Sequence, residues 1–304
     1  MPVSFPPALV PFLDLLRCPN CRAPGLRPAP GALRCPAGHA FDVARHGYVS
    51  LLTGARATSG DDADMVRARD RFLATGGYLP IRRTLARLAT APLPGPRAAT
   101  PPPPAGTALD VGCGTGYYLA GVLDRLPRGA HGLGLDASVR ALRSAARAHA
   151  RAAAATCDVF RPLPLADRVA DVVLNVFAPR NPAEFHRVLR PAGRLVVARP
   201  TAVHLAELRA RTPGMVMVDP AKERRLHRAL DPFFRPVHTE RVEYPLPLAP
   251  GAALDLLGMT PSARHVPRAV WTGPGPGDVG PGDGARPARL TVTVSVLVTA
   301  YRPR

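Results

Sequence analysis

Two clusters in this chain of 304 residues have the types and spacing for chemistry. The first is Asp110-Val-Gly112-Cys-Gly114-Thr115-Gly116, set between an apolar run at 108–111 and a helix-like run at 118–126. Glycines there permit a tight turn whose backbone approaches a ligand without Cβ interference. After a second apolar run at 131–135, Asp136 stands where an acidic strand end hydrogen-bonds the ribose hydroxyls of a nucleoside. The second cluster is Cys18-x2-Cys21, then thirteen residues, then Cys35-x3-His39. Two such pairs close a tetrahedron around one ion, and three thiolates with one imidazole favour a structural zinc with no open coordination position. Turn residues over 25–33 predict a small hairpin between the pairs.

The glycine spacing narrows the nucleoside. Dinucleotide sites read G-x-G-x-x-G and place pyrophosphate on a helix N-terminus. Here the order is G-x-G-x-G with Asp110 just before it, which resembles motif I of the class I S-adenosylmethionine-dependent methyltransferases. That donor has no pyrophosphate and carries a sulfonium and an ammonium, so an acidic neighbour is compatible with it. A nicotinamide cofactor and a ligand-free glycine turn are the alternatives.

The elements that must position these groups alternate from Thr107 onward. Strands are predicted at 107–111, 131–135, 154–158, 169–177, 194–199, 235–244 and 290–301, with helices at 117–126, 138–152, 183–190 and 203–211. This predicts an α/β fold of the Rossmann-like class I type with a mainly parallel seven-stranded sheet, plus a small N-terminal zinc ribbon. Residues 1–50 read as a zinc-ribbon domain. Residues 51–106 read as a helical connector, with helices at 63–73 and 81–89 and a stiff Pro-rich linker over 91–106, and residues 107–304 as the catalytic domain. Asp61 or Asp62 caps the first of these helices. The Gly- and Pro-rich 272–288 reads as a loop.

Forty basic against 22 acidic residues give a net charge of +18, and all the cations but Lys222 are arginines. Such a field favours a polyanionic partner, since arginine pairs bidentately with phosphate and stacks on bases. Arginines at 17, 22, 34, 45, 56, 67, 69 and 71 are expected to follow phosphates. No window is long and apolar enough to span a bilayer. The N-terminus lacks the features of a signal peptide, and five cysteines with metal-like spacing suit a reducing compartment, so a cytoplasmic location is expected.

With both ends read, the chain resembles the 23S ribosomal RNA (guanine-N1)-methyltransferases, which include actinomycete macrolide-resistance members. The resemblance rests on the C-x2-C…C-x3-H ribbon, His39-Ala-Phe-Asp42, Gly47-Tyr-Val49, and Asp61 to Tyr78 with Met65 and Arg69 in step. It continues through the glycine segment, Ala178-Pro179, Val188-Leu-Arg-Pro-Ala-Gly193, His204-Leu205 and Leu257-Gly-Met-Thr-Pro261. It implies S-adenosylmethionine contacts from Tyr78, Gly114, Thr115 and His204, beside the Asp110, Gly112, Gly116 and Asp136 read above. It also implies an RNA hairpin in domain II of 23S rRNA, beside the peptide exit tunnel, as the substrate, and RNA recognition as the role of the ribbon domain. A homodimer with a composite cleft is compatible with the resemblance and required by no residue. Asn175-Val-Phe-Ala-Pro179 is the candidate guanine pocket, with Phe177 for stacking, and Asp158 is read as either an adenine contact or a turn former. No catalytic base is identified. A methyltransferase of small natural products and a noncatalytic ribosome-binding module are the competing readings.

Overall fold

The computed structural model describes residues 5–54, 60–92, 106–216, 222–266 and 289–304. A 3-10 helix, Pro7–Phe12, leads into the ribbon, whose strands β1 (Arg27–Ala29), β2 (Ala32–Arg34) and β3 (Ala40–Asp42) form an antiparallel sheet. The hairpin expected between the cysteine pairs is β1–β2, paired Arg27 to Arg34 and Ala29 to Ala32. There follow β4 (Tyr48–Val49), α1 (Ala63–Ala74) and α2 (Leu79–Thr90). Asp62 caps α1, its side chain accepting from the N–H groups of Asp64 and Met65.

Next come β5 (Thr107–Val111), α3 (Tyr117–Leu123), β6 (His131–Asp136), α4 (Val139–Ala145), β7 (Ala152–Thr156) and β8 (Ala170–Val176). The chain closes with α5 (Pro182–Val188), β9 (Leu189–Pro200), α6 (Ala206–Ala210), α7 (Lys222–Leu230), β10 (Phe234–Leu248), α8 (Pro250–Gly258) and β11 (Leu290–Pro303). The main sheet runs β10-β11-β9-β8-β5-β6-β7-β4. From β9 to β4 neighbours are parallel, and β11 is antiparallel to both β9 and β10. All seven expected strands are present, and β4 adds an eighth from the stretch read only as extended.

Burial on both faces explains why the central strands read as unbroken apolar runs. One face packs α2, α3, α6 and α8 around Leu85, Leu119, Leu208 and Leu256. The other carries α5, α7 and, where a crossover helix would ordinarily lie, the N-terminal Leu9, Phe12 and Leu16 against Leu133, Leu135, Ala153 and Ala155. The ribbon is fastened to this face. Leu16 bridges Leu165, the Arg17 N–H donates to Pro164 O at 3.0 Å, and Arg22 Nη1 donates to Leu163 O at 2.9 Å.

Several boundaries move. The helix expected at 138–152 stops at Ala145, and the strand expected at 154–158 starts at Ala152. A run of alanines reads as helix by propensity, but pairing with β6 and full burial override it. The helix at 183–190 ends at Val188, because Pro191 cannot extend it and the chain turns into β9. Helices α7 and α8 were not anticipated. The Pro-rich linker and the 272–288 loop lie outside the described residues, apart from the linker's ends at Ala91, Pro92 and Gly106. No helix among the described residues is long and apolar enough to cross a membrane.

Phe12 is fully buried between the ribbon and the sheet. Phe12→Ala is expected to lower stability by about 3 kcal/mol, read as a drop in the urea midpoint at unchanged slope.

Candidate functional site

β5 and β6 end side by side, and their last acidic residues define the site. Asp136 accepts from the Gly114 N–H at 2.8 Å through Oδ2 and from the Ser138 N–H at 2.8 Å through Oδ1. Its carboxylate thus ties the glycine turn to the start of α4. Gly112 has φ +81°, and a Cβ there would stand 2.4 Å from the Ala178 methyl, so only glycine fits. Gly116 has φ +81°, and a Cβ there would stand 2.9 Å from the Ala148 methyl and 3.0 Å from Cα of Ala145 at the end of α4. At Gly114 the space is open except for the Arg69 side chain, whose Cδ would lie 3.6 Å from an added Cβ. This is a cradle for a ligand.

Asp110 is 1 % exposed; the Leu119 backbone N–H lies near enough to favour its charged form, but neither carboxylate oxygen completes a hydrogen bond. Burial, then the neighbouring Asp136 charge, push its pKa up to about 8. Asp136 is raised as well, chiefly by burial and against the help of its two backbone donors. An unpartnered buried carboxylate is costly, and its chemistry suits a cationic group.

Across the crevice stand the aromatic residues. Tyr78, at the head of α2, is buried, and its hydroxyl lies 3.2 Å from His204 Nε2. The Ser295 N–H donates to His204 Nδ1 at 3.1 Å, so the neutral ring carries its proton on Nε2 and donates to the Tyr78 oxygen. The Tyr78 hydroxyl proton is then free to be donated. Burial and Arg209 hold the His204 pKa down to about 4, which keeps the ring neutral at physiological pH.

Phe177 follows β8 with φ +52°, a left-handed conformation that a bulky residue adopts only under constraint. Asn175 imposes the loop after it, donating from Nδ2 to Pro179 O at 2.8 Å and to Val111 O at 3.1 Å. The Phe177 ring is 37 % exposed, stacks on His204 at 6.1 Å and lies 6.2 Å from Tyr78 and 6.4 Å from Tyr118. Asn175 Oδ1 is buried without a partner.

Asp110, Asp136, Gly112, Gly114, Tyr78 and His204 therefore converge where β5, β6 and β8 end. Thr115 is buried and faces elsewhere, lining a cavity of about 380 Å³ with Asp70, Arg82, Tyr117 and Arg147. Asp158 accepts from the Phe160 N–H at 2.9 Å, which fits the turn-forming reading. Sequence reasoning set Arg69 among phosphate-binding arginines, but packing of α1 against α8 puts it over Gly114, and no local pattern reports that.

The metal-ligating residues lie in the ribbon, where Arg17 and Arg22, which fasten it to the sheet, flank Cys18 and Cys21. The ligand atoms of Cys18, Cys21, Cys35 and His39 are all within 4.8 Å of one another. Cys21 Sγ to Cys35 Sγ is 3.9 Å and Cys18 Sγ to His39 Nδ1 is 3.6 Å. Tetrahedral zinc, with bonds of about 2.3 Å to sulfur, sets its ligand atoms about 3.7 Å apart. The donor set fits zinc, with His39 binding through Nδ1.

Comparison with known proteins gives two family matches, "RlmA, N-terminal" over residues 16–56 and "Methyltransferase domain" over residues 108–194. An inferred 23S rRNA (guanine-N1)-methyltransferase of Micromonospora griseorubida is 47 % identical over 96 % of this chain and 98 % of its own length. The 23S rRNA (guanine(748)-N1)-methyltransferase of Streptomyces fradiae is 43 % identical over 95 % of this chain and 96 % of its own. An inferred 23S rRNA (guanine-N1)-methyltransferase of Bacillus subtilis is 35 % identical, covering 84 % and 89 % respectively.

Two expectations follow. Removing the metal with a chelator, or Cys35→Ala, is expected to release about one zinc per chain, measured by atomic absorption, and to expose the ribbon to proteolysis. Asp110 has a folded-state pKa above its unfolded value of 3.8, so the ligand-free fold holds its proton more tightly than the unfolded chain. Its contribution to stability is complete below pH 4 and lost as pH rises to about 8. Urea unfolding at pH 5 and pH 8 should therefore show a decline in the wild type, on the order of a few kcal/mol, that Asp110→Asn removes.

Proposed function

We propose one reading from a plain premise: the chain belongs to the family of 23S rRNA (guanine-N1)-methyltransferases. It transfers a methyl group from S-adenosylmethionine to N1 of a guanosine in 23S rRNA. The observation that carries the acceptor is 43 % identity to the Streptomyces fradiae enzyme along almost the entire length of both chains, ribbon included. The finer reading is a loop guanosine in a domain II hairpin beside the peptide exit tunnel, with macrolide resistance as the role.

The residues present fit the donor. In this reading Asp136 takes the ribose, the open turn at Gly114 takes the donor's close approach, and the unpartnered Asp110 takes a cationic group. Tyr78, His204 and the backbone of Thr115, whose side chain points away, complete the proposed donor set with Gly112 and Gly116. When bound, S-adenosylmethionine supplies an electrophilic methyl on sulfur, so the protein's part is to position the acceptor against it. Guanine N1 lies on the Watson–Crick edge, and the base must leave its stack to react. Phe177, held in strain at the crevice mouth, gives the extruded base a face to stack on, while Asn175 Oδ1 offers a buried acceptor.

For the RNA backbone, the arginines sort by what they already hold. Arg17, Arg22, Arg67, Arg69 and Arg71 donate to the chain's own oxygens, Arg34 and Arg45 are exposed, and Arg56 lies outside the described residues. Arg45, Arg143 and Arg147 crowd His46 and help to depress its pKa, though burial contributes most. We read this patch, where the chain beyond the ribbon meets α4, as a phosphate track. A shared cleft in a homodimer is part of the same proposal.

The test is primer extension on unmodified 23S RNA incubated with protein and S-adenosylmethionine. An N1-methyl blocks pairing, so a new stop one nucleotide before a domain II hairpin guanosine is expected, and its absence despite donor binding would sink the acceptor reading. Phe177→Ala should lower kcat/KM for RNA on the order of 10- to 100-fold, as loss of one stacking face does, with donor affinity changed about twofold at most.

A further inference from the structure

Arg69 is the least expected occupant of the site. Its Nε and Nη2 donate to Asp61 Oδ2 at 2.9 and 2.6 Å, and Nη2 also donates to Met259 O at 3.0 Å. Asp61 is itself fixed, because Ser138 Oγ donates to its backbone carbonyl at 2.5 Å. Four elements thus hold the guanidinium still: the turn before α1, α1 itself, the start of α4 and the end of α8. Both side chains of the pair are largely withdrawn from water, at 23 % and 19 % exposure. One edge of the fork is nevertheless uncommitted, since Nη1 has no partner among the described residues.

The position of that edge matters. The Arg69 stem covers the only open glycine of the turn, and its charge is felt by Asp136, Tyr78 and Tyr118. Asp110 suits the cationic ammonium of the proposed donor, but in their charged forms it and Asp136 repel the donor's carboxylate. Some cation must meet that group, and a planar fork already clamped on one side loses little freedom in doing so.

We propose that Arg69 is the anchor for the α-carboxylate of S-adenosylmethionine, held ready by Asp61 and the Met259 carbonyl. The assignment rests on the donor reading above and not on the RNA. It makes the amino-acid end of the donor the point at which the protein separates S-adenosylmethionine from its decarboxylated counterpart.

Calorimetric titration of the intact protein with S-adenosylmethionine and with decarboxylated S-adenosylmethionine tests it. The wild type should bind the decarboxylated compound on the order of 10- to 100-fold more weakly, as loss of a charged hydrogen-bonded pair predicts. Arg69→Gln should bind both with equal dissociation constants, close to that of the wild type for the decarboxylated compound. Arg69→Lys, which keeps the charge without the fork, should retain part of the preference. A merely structural arginine predicts something else: Arg69→Gln weakens both ligands in proportion and keeps the preference. That result, or a wild type that does not discriminate, overturns the assignment. Failure of S-adenosylmethionine to bind the wild type at all overturns the donor reading and this one with it.

Discussion

The bidentate grip of Asp136 on the Gly114 and Ser138 N–H groups is the constraint from which the crevice follows. It fixes the glycine turn to the next helix, and the turn in turn sets where α3 begins and how closely Ala178 crosses it. Ser138 passes the constraint outward to Asp61, Asp61 to Arg69, and Arg69 to the end of α8. The elements before the sheet and those late in the chain therefore meet over one carboxylate. In a parallel sheet the strand ends converge there, so a single well-held acid organises several loops at once.

On the other wall the order is set by a backbone donor. The Ser295 N–H decides the tautomer of His204, and that tautomer decides which way the Tyr78 hydroxyl bond runs. β11, the antiparallel strand beside β9, thus reaches the crevice through one amide. The strained Phe177 completes this wall, its ring against His204, Tyr78 and Tyr118 and its loop tied by Asn175 to Pro179 and Val111. The two walls differ in kind, one charged and short of partners, the other aromatic and neutral. That division matches a ligand whose charge is gathered at one end.

Much of this was legible in the residues. Gly112 to Gly116 with Asp136 gave the turn and its ligand class because both depend on local backbone conformation and on strand order. The cysteine cluster was legible for the same reason, since four ligands at short spacing leave few alternatives. What was not legible came from tertiary packing. The strand Ala152–Thr156 hides in a helix-forming composition and is revealed only by its neighbours. Two-residue β4 is too short to carry a pattern at all. Arg69 looks like its neighbours Arg67 and Arg71 along the chain, and only the docking of α1 on α8 separates their roles. Tyr78 and His204 came from the family resemblance, for neither an aromatic after Gly-Gly nor a histidine at a helix start reports a hydrogen bond across 126 residues.

β4 has one more consequence. It covers the outer edge of β7 with two paired residues, Tyr48 on Ala154 and Val49 on Ala155, and the Leu52 N–H donates to Thr156 Oγ1 at 2.8 Å just beyond. Without that cover β7 would present an uncharged, alanine-rich edge, the kind of surface on which a second chain adds as another strand. The cover follows directly on the zinc-binding segment. The N-terminal segment therefore does two things at once: it carries the cysteine cluster, and through β4 it seals the border of the sheet.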